Sequence, residues 1–327
     1  MDMQRVAVVG AGAIGGWLAG ALAGAGAEVS MLARGETLKA INEHGLRIRH
    51  GQRETTHRLK AHQDAKALGP QDLVVLAVKA PALAAVAPQV RALLGPKTAV
   101  LTAMNGVPWW FLHGLDSPFK QRALHSVDAT GSIAAAIPPE RVIGGVVHAS
   151  CSVDMPGVVR LHFGNKLIIG EPGGAQTTRL KALNALLQRT GLDVETSSLI
   201  QRDIWFKLWG NMTMNPISAL TGATTDRILG DPDLRAMVSA VMLEARAIGE
   251  KIGLPIEQEP EDRHAVTLKL GAFKTSMLQD VEAGRPVELD ALLGAVIELG
   301  QLTTTAMPFT RALMGLARVH AQTRGLY

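Results

Sequence analysis

Arg5-Val6-Ala7-Val8-Val9-Gly10-Ala11-Gly12-Ala13-Ile14-Gly15 is the stretch on which the fold turns. A short β-branched run reads as a strand, glycines follow it at once, and a stretch of helical length opens inside the glycine pattern. The first glycine permits a tight turn, the second lets a pyrophosphate approach the backbone, and the third lets helix and strand pack closely. The amides at the start of the helix then face the phosphates. Isolated, the pattern is a weak signal. Placed directly behind the first strand, it points to a dinucleotide-binding α/β unit, with Gly10, Ala11, Gly12, Ala13, Ile14 and Gly15 as the cofactor-binding turn.

Outward from this turn, short apolar runs at residues 28–33, 73–78 and 98–103 read as further strands, separated by Ala/Leu-rich stretches of helical length. That alternation is the mark of a parallel sheet covered by helices. Runs at 142–153, 158–163 and 167–170, broken by turn residues such as Met155-Pro156-Gly157, look like a meander extending the same sheet. After a helix at 178–189 and a last strand near 192–196 the β signal stops. Residues 203–219, 232–252, 265–279 and 289–304 each carry apolar residues at three- and four-residue spacing, which predicts helices. The expected fold is α/β, with an N-terminal Rossmann-type parallel-sheet domain over residues 1–197 and an all-helical C-terminal domain over 198–327.

Composition narrows the class of function. A chain of 327 residues is longer than one core usually serves. Its net charge is +4, yet Lys and Arg are scattered among acids, so no nucleic-acid footprint is expected. Gly, Ala and charges interrupt every apolar stretch within about a dozen residues, too short to span a bilayer, and the N-terminus has no signal-peptide pattern. The single cysteine, Cys151, can form no internal disulfide, and no Cys/His cluster has zinc-ligand spacing, so no metal is expected. These features suit a reducing cytoplasm.

Two cations flank the expected cofactor. An acid at the end of the second strand would accept from a ribose 2′-OH, whereas a 2′-phosphate needs a cation. The residue there is Arg34, which favours NADPH/NADP, although Glu36 lies two residues on and Arg34 also reads as a solvated loop cation. Lys79, in Ala77-Val78-Lys79-Ala80, follows the strand at 73–78 at the carboxyl edge where ligands of open sheets bind. It is either ordinary surface or a second clamp on the 2′-phosphate.

Lys207, Asn211 and Asn215 are spaced by four residues and project in a row from one helix face. A cation and two amides so aligned want an anion or a carbonyl. The alternative is a solvated polar stripe, against which Trp205, Phe206 and Trp209 speak. With the glycine turn, Arg34, Ala77-Val78-Lys79-Ala80, Asn105-Gly106, the Lys207 helix, Ser276-Met277-Leu278-Gln279-Asp280 and Glu288-Leu289-Asp290 in this order, the chain resembles the ketopantoate reductase family across both expected domains. The resemblance implies hydride transfer from NADPH to C2 of a 2-oxo acid, ketopantoate first, in pantothenate biosynthesis. It implies Lys207 as proton donor, Glu288 as a catalytic and cofactor-binding acid, and Asn105 as a contact to cofactor and substrate. Asn211, Asn215 and Ser276 match substrate-binding positions, and Ser150 falls near a cofactor-contacting one. Glu288 also reads as an acid in the first turn of its helix.

Two other functions stay open on the sequence: a paralogous NADPH-dependent reductase of another 2-oxo acid or related carbonyl, and a non-catalytic NADPH-binding sensor. The partner expected is a small 2-oxo acid, with neither nucleic acid nor membrane. Apolar helices in the second domain could pack within one chain or support a homodimer. Val107-Pro108-Trp109-Trp110-Phe111 departs from the simplest family pattern, and burial is its expected explanation. Residues 113–140 show no periodicity, and His125 and Asp128 within them read as loop or strand residues.

Overall fold

The computed structural model describes residues 3–327. They form two compact units, one made of the chain up to Met104 with Ser132–Asp203, the other of Asn105–Gly131 with Ile204–Tyr327. This division differs from a single cut after residue 197, because the chain leaves the first unit at Met104 and returns only at Ser132. Apolar burial explains the excursion. Trp109, Trp110, Phe111, Leu112 and Leu115 are buried, and the Phe111 ring lies 5.9 Å from that of Trp205. Burying a side chain of this size is worth about 1.5–3 kcal/mol, so several in one short segment outweigh its lack of regular structure. The aromatic departure from the family pattern is therefore core of the second unit.

The first unit carries a ten-stranded sheet. Its strands are β1 (Arg5–Val9), β2 (Glu28–Leu32), β3 (Leu46–His50), β4 (Arg53–His57), β5 (Lys60–His62), β6 (Gln71–Leu76), β7 (Leu94–Thr102), β8 (Val142–Met155), β9 (Val158–Gly170) and β10 (Asp193–Thr196). They lie in the order β4-β3-β9-β8-β7-β6-β1-β2-β5, with β10 also paired to β9. From β5 to β8 every pairing is parallel. The predicted meander is one long antiparallel pair, β8 with β9, and the hairpin of β3 and β4 adds to the far side of β9. The sheet is thus mixed at one end and Rossmann-like at the other. The centre is dry: Val6, Val8, Leu73, Val75 and Leu101 are fully buried, as expected of parallel strands covered on both faces.

The second unit is helical, as expected. Its helix Ile200–Thr221 starts in the first unit and continues into the second. Helix Pro232–Ile252 shows why local sequence suffices there. The Asp231 carboxylate accepts from the Asp233 and Leu234 amides at 3.1 and 2.9 Å, Pro232 occupies the first turn, and Gly253 ends the helix at φ +84°. The single helix expected at 265–279 is two, Pro260–Leu268 and Ser276–Glu282. Between them Gly271 takes φ +63°, and the Thr275 hydroxyl caps the second helix by accepting from the Leu278 amide at 3.2 Å. A last helix, Pro308–Gln322, lies beyond the predicted elements. Among the described residues no helix is long and apolar enough to cross a membrane, and no cluster of three His, Cys, Asp or Glu is arranged for a metal ion.

Candidate active site

The glycine turn has the shape a dinucleotide needs. Gly10 follows β1 at φ +108°, and a Cβ there would stand 2.7 Å from the Ala77 carbonyl oxygen. Gly15 is tighter, since its Cβ would meet the Gly10 carbonyl oxygen at 1.9 Å. Gly12 is the opposite case. It is exposed, nothing lies within 4 Å of its would-be Cβ, and helix Ala13–Gly24 starts directly behind it with no side chain capping its amides. Two glycines are closed by packing and the middle one opens on the helix N-terminus, which fits a pyrophosphate.

Ala77, which closes on Gly10 and Gly15, is two residues before Lys79, and Lys79 is exposed. Arg34 is also exposed and is the N-cap residue of helix Gly35–His44. The nearby acid is engaged elsewhere: Glu36 pairs with Lys39 at 3.1 Å along its own helix. Ser150 is not brought to the turn by strand pairing. It sits half-buried in β8 beyond Gly144, the last β8 residue paired to β7, and opposite Phe163 of β9. Close by on β8, Cys151 is no nucleophile at neutral pH, because burial pushes its thiol up to about 12.

The second unit gathers Asn105, Lys207 and Glu288 around one amine. Lys207 donates from Nζ to Asn105 Oδ1 at 2.9 Å. Asn105 is held for this by Gly106, whose φ is +80° and whose Cβ would lie 2.6 Å from the Ala291 carbonyl oxygen, while the Val107 amide donates to that oxygen at 2.8 Å. Ala291 belongs to a wide π-helical turn, Asp290–Gly294, a form often found at functional sites. Glu288 immediately precedes this helical segment, is buried, and its carbonyl accepts from the Leu292 amide at 3.1 Å. Both readings of Glu288 therefore have a physical basis: it stands at a helix start, and its charge acts on Lys207.

Burial pushes the Lys207 ammonium down to about 8, with Glu288 opposing the shift and Arg263 adding to it. An amine of this kind changes protonation close to neutrality. Asn211 and Asn215 continue its helix row, half-buried and buried. Ser276 is exposed at the first position of its helix, and the buried hydroxyl there belongs to the capping Thr275. Arg263, on helix Pro260–Leu268, acts on the same amine without a signal in the sequence. Its guanidinium carbon lies 5.4 Å from the centroid of the Phe206 ring, and no local spacing in the sequence ties that helix to Lys207. His125 is exposed in a turn whose backbone is held by Glu298, which accepts from the His125 and Ser126 amides, both at 2.8 Å.

Comparison with known proteins agrees with the architecture. The family model described as ketopantoate reductase PanE/ApbA matches residues 6–174, and its C-terminal counterpart matches residues 199–321. A 2-dehydropantoate 2-reductase of Mesorhizobium japonicum is 44% identical over 99% of this chain and 100% of its own. A crystal structure from Ralstonia solanacearum MolK2, assigned as a ketopantoate reductase, is 52% identical, covers 100% of both chains and superposes with a TM-score of 0.96. A D-mandelate dehydrogenase solved with NADH and anilino(oxo)acetate shares the fold at TM-score 0.84 and 22% identity, over 98% of this chain and 99% of its own.

Proposed function

Because the chain belongs to the ketopantoate reductase family, an oxidoreductase family, we propose that it reduces 2-dehydropantoate to pantoate with NADPH, Lys207 being the proton donor. The observation that carries this reading is the Lys207 amine, hydrogen-bonded to Asn105 and held near pKa 8 by burial. A general acid works best when its pKa lies near the operating pH, since it is then both protonated and willing to release the proton.

The glycine turn would hold the pyrophosphate, and Arg34 with Lys79 the 2′-phosphate. Charge-assisted contact with a guanidinium is the chemistry that prefers NADPH to NADH. The bound nicotinamide supplies a hydride to the ketone carbon. As negative charge grows on the ketone oxygen, the Lys207 ammonium stabilises it and gives up one proton, which leaves a neutral amine to be reprotonated by solvent. Accepting one N–H at Asn105 fixes where the other two point. Glu288 keeps the amine protonated against its own burial. Asn211 and Asn215 offer neutral donors and acceptors to the rest of the substrate without lowering the lysine further. With pantoate as its product, the reaction would belong to pantothenate biosynthesis.

Single-turnover oxidation of bound NADPH, run against a panel of 2-oxo acids, tests this reading. Oxidation fastest with 2-dehydropantoate is expected. Oxidation faster with a different 2-oxo acid would replace the substrate and keep the chemistry, and tight NADPH binding with no oxidation by any of them would leave only a sensor.

A further inference from the structure

Arg263 packs against the helix that carries the reacting amine, and among the described residues no carboxylate forms an ion pair with it. Its guanidinium covers Phe206 and runs along Gly210, where a Cβ would sit 2.8 Å from Nε and 3.1 Å from Nη2. Phe206 and Gly210 are four residues apart on the helix, and Lys207 and Asn211 form the adjoining row. The guanidinium thus borders the face from which Lys207 and Asn211 project, in space that any residue larger than glycine at 210 would take.

The acids nearest in sequence are committed elsewhere. Glu261 pairs with Arg235, and Asp262 accepts from the Glu259 amide at 3.0 Å. Among the described residues no carboxylate lies within ion-pair distance of Arg263, whereas the part-buried Arg179 is matched to Glu171 at 2.5 Å. Its Nε is buried without a hydrogen-bond partner. Burial lowers its pKa, and its charge lowers that of Lys207. Glu288 supplies one negative charge to this place against two cations drawn partly out of water, so one cation remains to be balanced by a further anion.

We propose that Arg263 anchors the substrate carboxylate, its Nε and Nη2 taking the two oxygens while Lys207 addresses the adjacent ketone oxygen. This rests on the reductase reading of the same site. In a 2-oxo acid the carboxylate carbon is bonded to the ketone carbon, so the molecule presents its anion next to the group that accepts the proton. A planar guanidinium fork matches a carboxylate in a way an ammonium does not. The arrangement selects 2-oxo acids over ketones without an acid group.

The test compares the wild type with Arg263→Gln and Arg263→Lys on 2-dehydropantoate and on its neutral C1 amide, and titrates the NADP+ complexes with oxalate by calorimetry. Arg263→Gln should raise KM for the acid and Kd for oxalate about 10- to 100-fold, while KM for the amide and the affinity for NADPH change less than about twofold. Arg263→Lys should recover only part of the loss. Removing the cation should also move the basic limb of the kcat/KM profile to higher pH, which a merely structural residue would not do. Gly210→Ala, which displaces the guanidinium and keeps its charge, should weaken oxalate in the same direction. Equal loss on acid and amide, unchanged oxalate binding in Arg263→Gln, or no oxalate binding by the wild type would overturn the anchor. Failure of the wild type to oxidise NADPH with any 2-oxo acid would instead remove the reductase reading, and oxalate would still report on Arg263.

Discussion

The glycine turn of the first unit and the lysine site of the second are built on different principles. The turn is made of backbone: what matters at Gly10 and Gly15 is that no side chain exists, because carbonyl oxygens stand 2.7 and 1.9 Å from where a Cβ would be. The lysine site is made of side chains from Asn105, Lys207, Arg263 and Glu288, which lie in four separate segments. A backbone site is damaged by adding atoms and fails in binding. A side-chain site is damaged by removing them and fails in chemistry.

The sharpest way to break that contrast is Lys207→Ala. Loss of a general acid should lower turnover about 10²- to 10⁴-fold, with NADPH affinity, read by fluorescence titration, essentially unchanged. A variant that loses NADPH instead would merge the two sites into one. Gly15→Ala should do the reverse, because overpacking of about 1–3 kcal/mol falls on the turn itself. We expect roughly 5- to 100-fold weaker NADPH binding and a lower melting temperature, with turnover at saturating NADPH largely kept. Arg34→Ala probes the edge of the turn, where one charge-assisted contact is worth about 1.5–3 kcal/mol. The ratio of catalytic efficiencies with NADPH and NADH should drop about 10- to 100-fold, and an unchanged ratio would remove Arg34 from the cofactor site. The smallest effect belongs to Glu36→Ala. An exposed pair such as Glu36 with Lys39 contributes at most about 1 kcal/mol, so the same ratio should hold within about fivefold.

How much of each site could be read in advance follows from the same contrast. The turn lies in one continuous stretch, so the role of each glycine was visible from its spacing. Lys207, Asn211 and Asn215 share one helix and were visible for the same reason. Asn105 and Glu288 are legible only through resemblance to a family, since their meeting with Lys207 depends on Gly106 closing on Ala291. Arg263 had neither signal. In the fold, the central parallel strands β1, β2, β6 and β7 announced themselves as apolar runs, whereas the short polar β5 did not. The β3–β4 hairpin did not, because Arg47, Arg49, Arg53 and Glu54 give it a polar surface, with Arg49 paired to Glu54 at 2.5 Å and to Asp154 of β8 at 3.1 Å. Residues 113–140 show no period for another reason: they run mostly through turns, with short helical pieces only at Ser132–Ala136 and Pro139–Arg141. Leu115, Leu124 and Ile133 are buried from such turns and short pieces, a packing that repeats with neither a helix nor a strand period.

In the proposed reaction Lys207 donates the proton from a pKa near 8. The pH dependence of kcat/KM for reduction tests it most directly, since that quantity reports the titration of the free enzyme. Below about 8 the amine is charged and kcat/KM should be level; above it, loss of the proton should lower kcat/KM about tenfold per pH unit. Oxidation of the 2-hydroxy acid, which needs the neutral amine, should instead rise through the same pH. A reduction profile flat from about pH 7 to 10 would contradict the assignment of Lys207 as the acid.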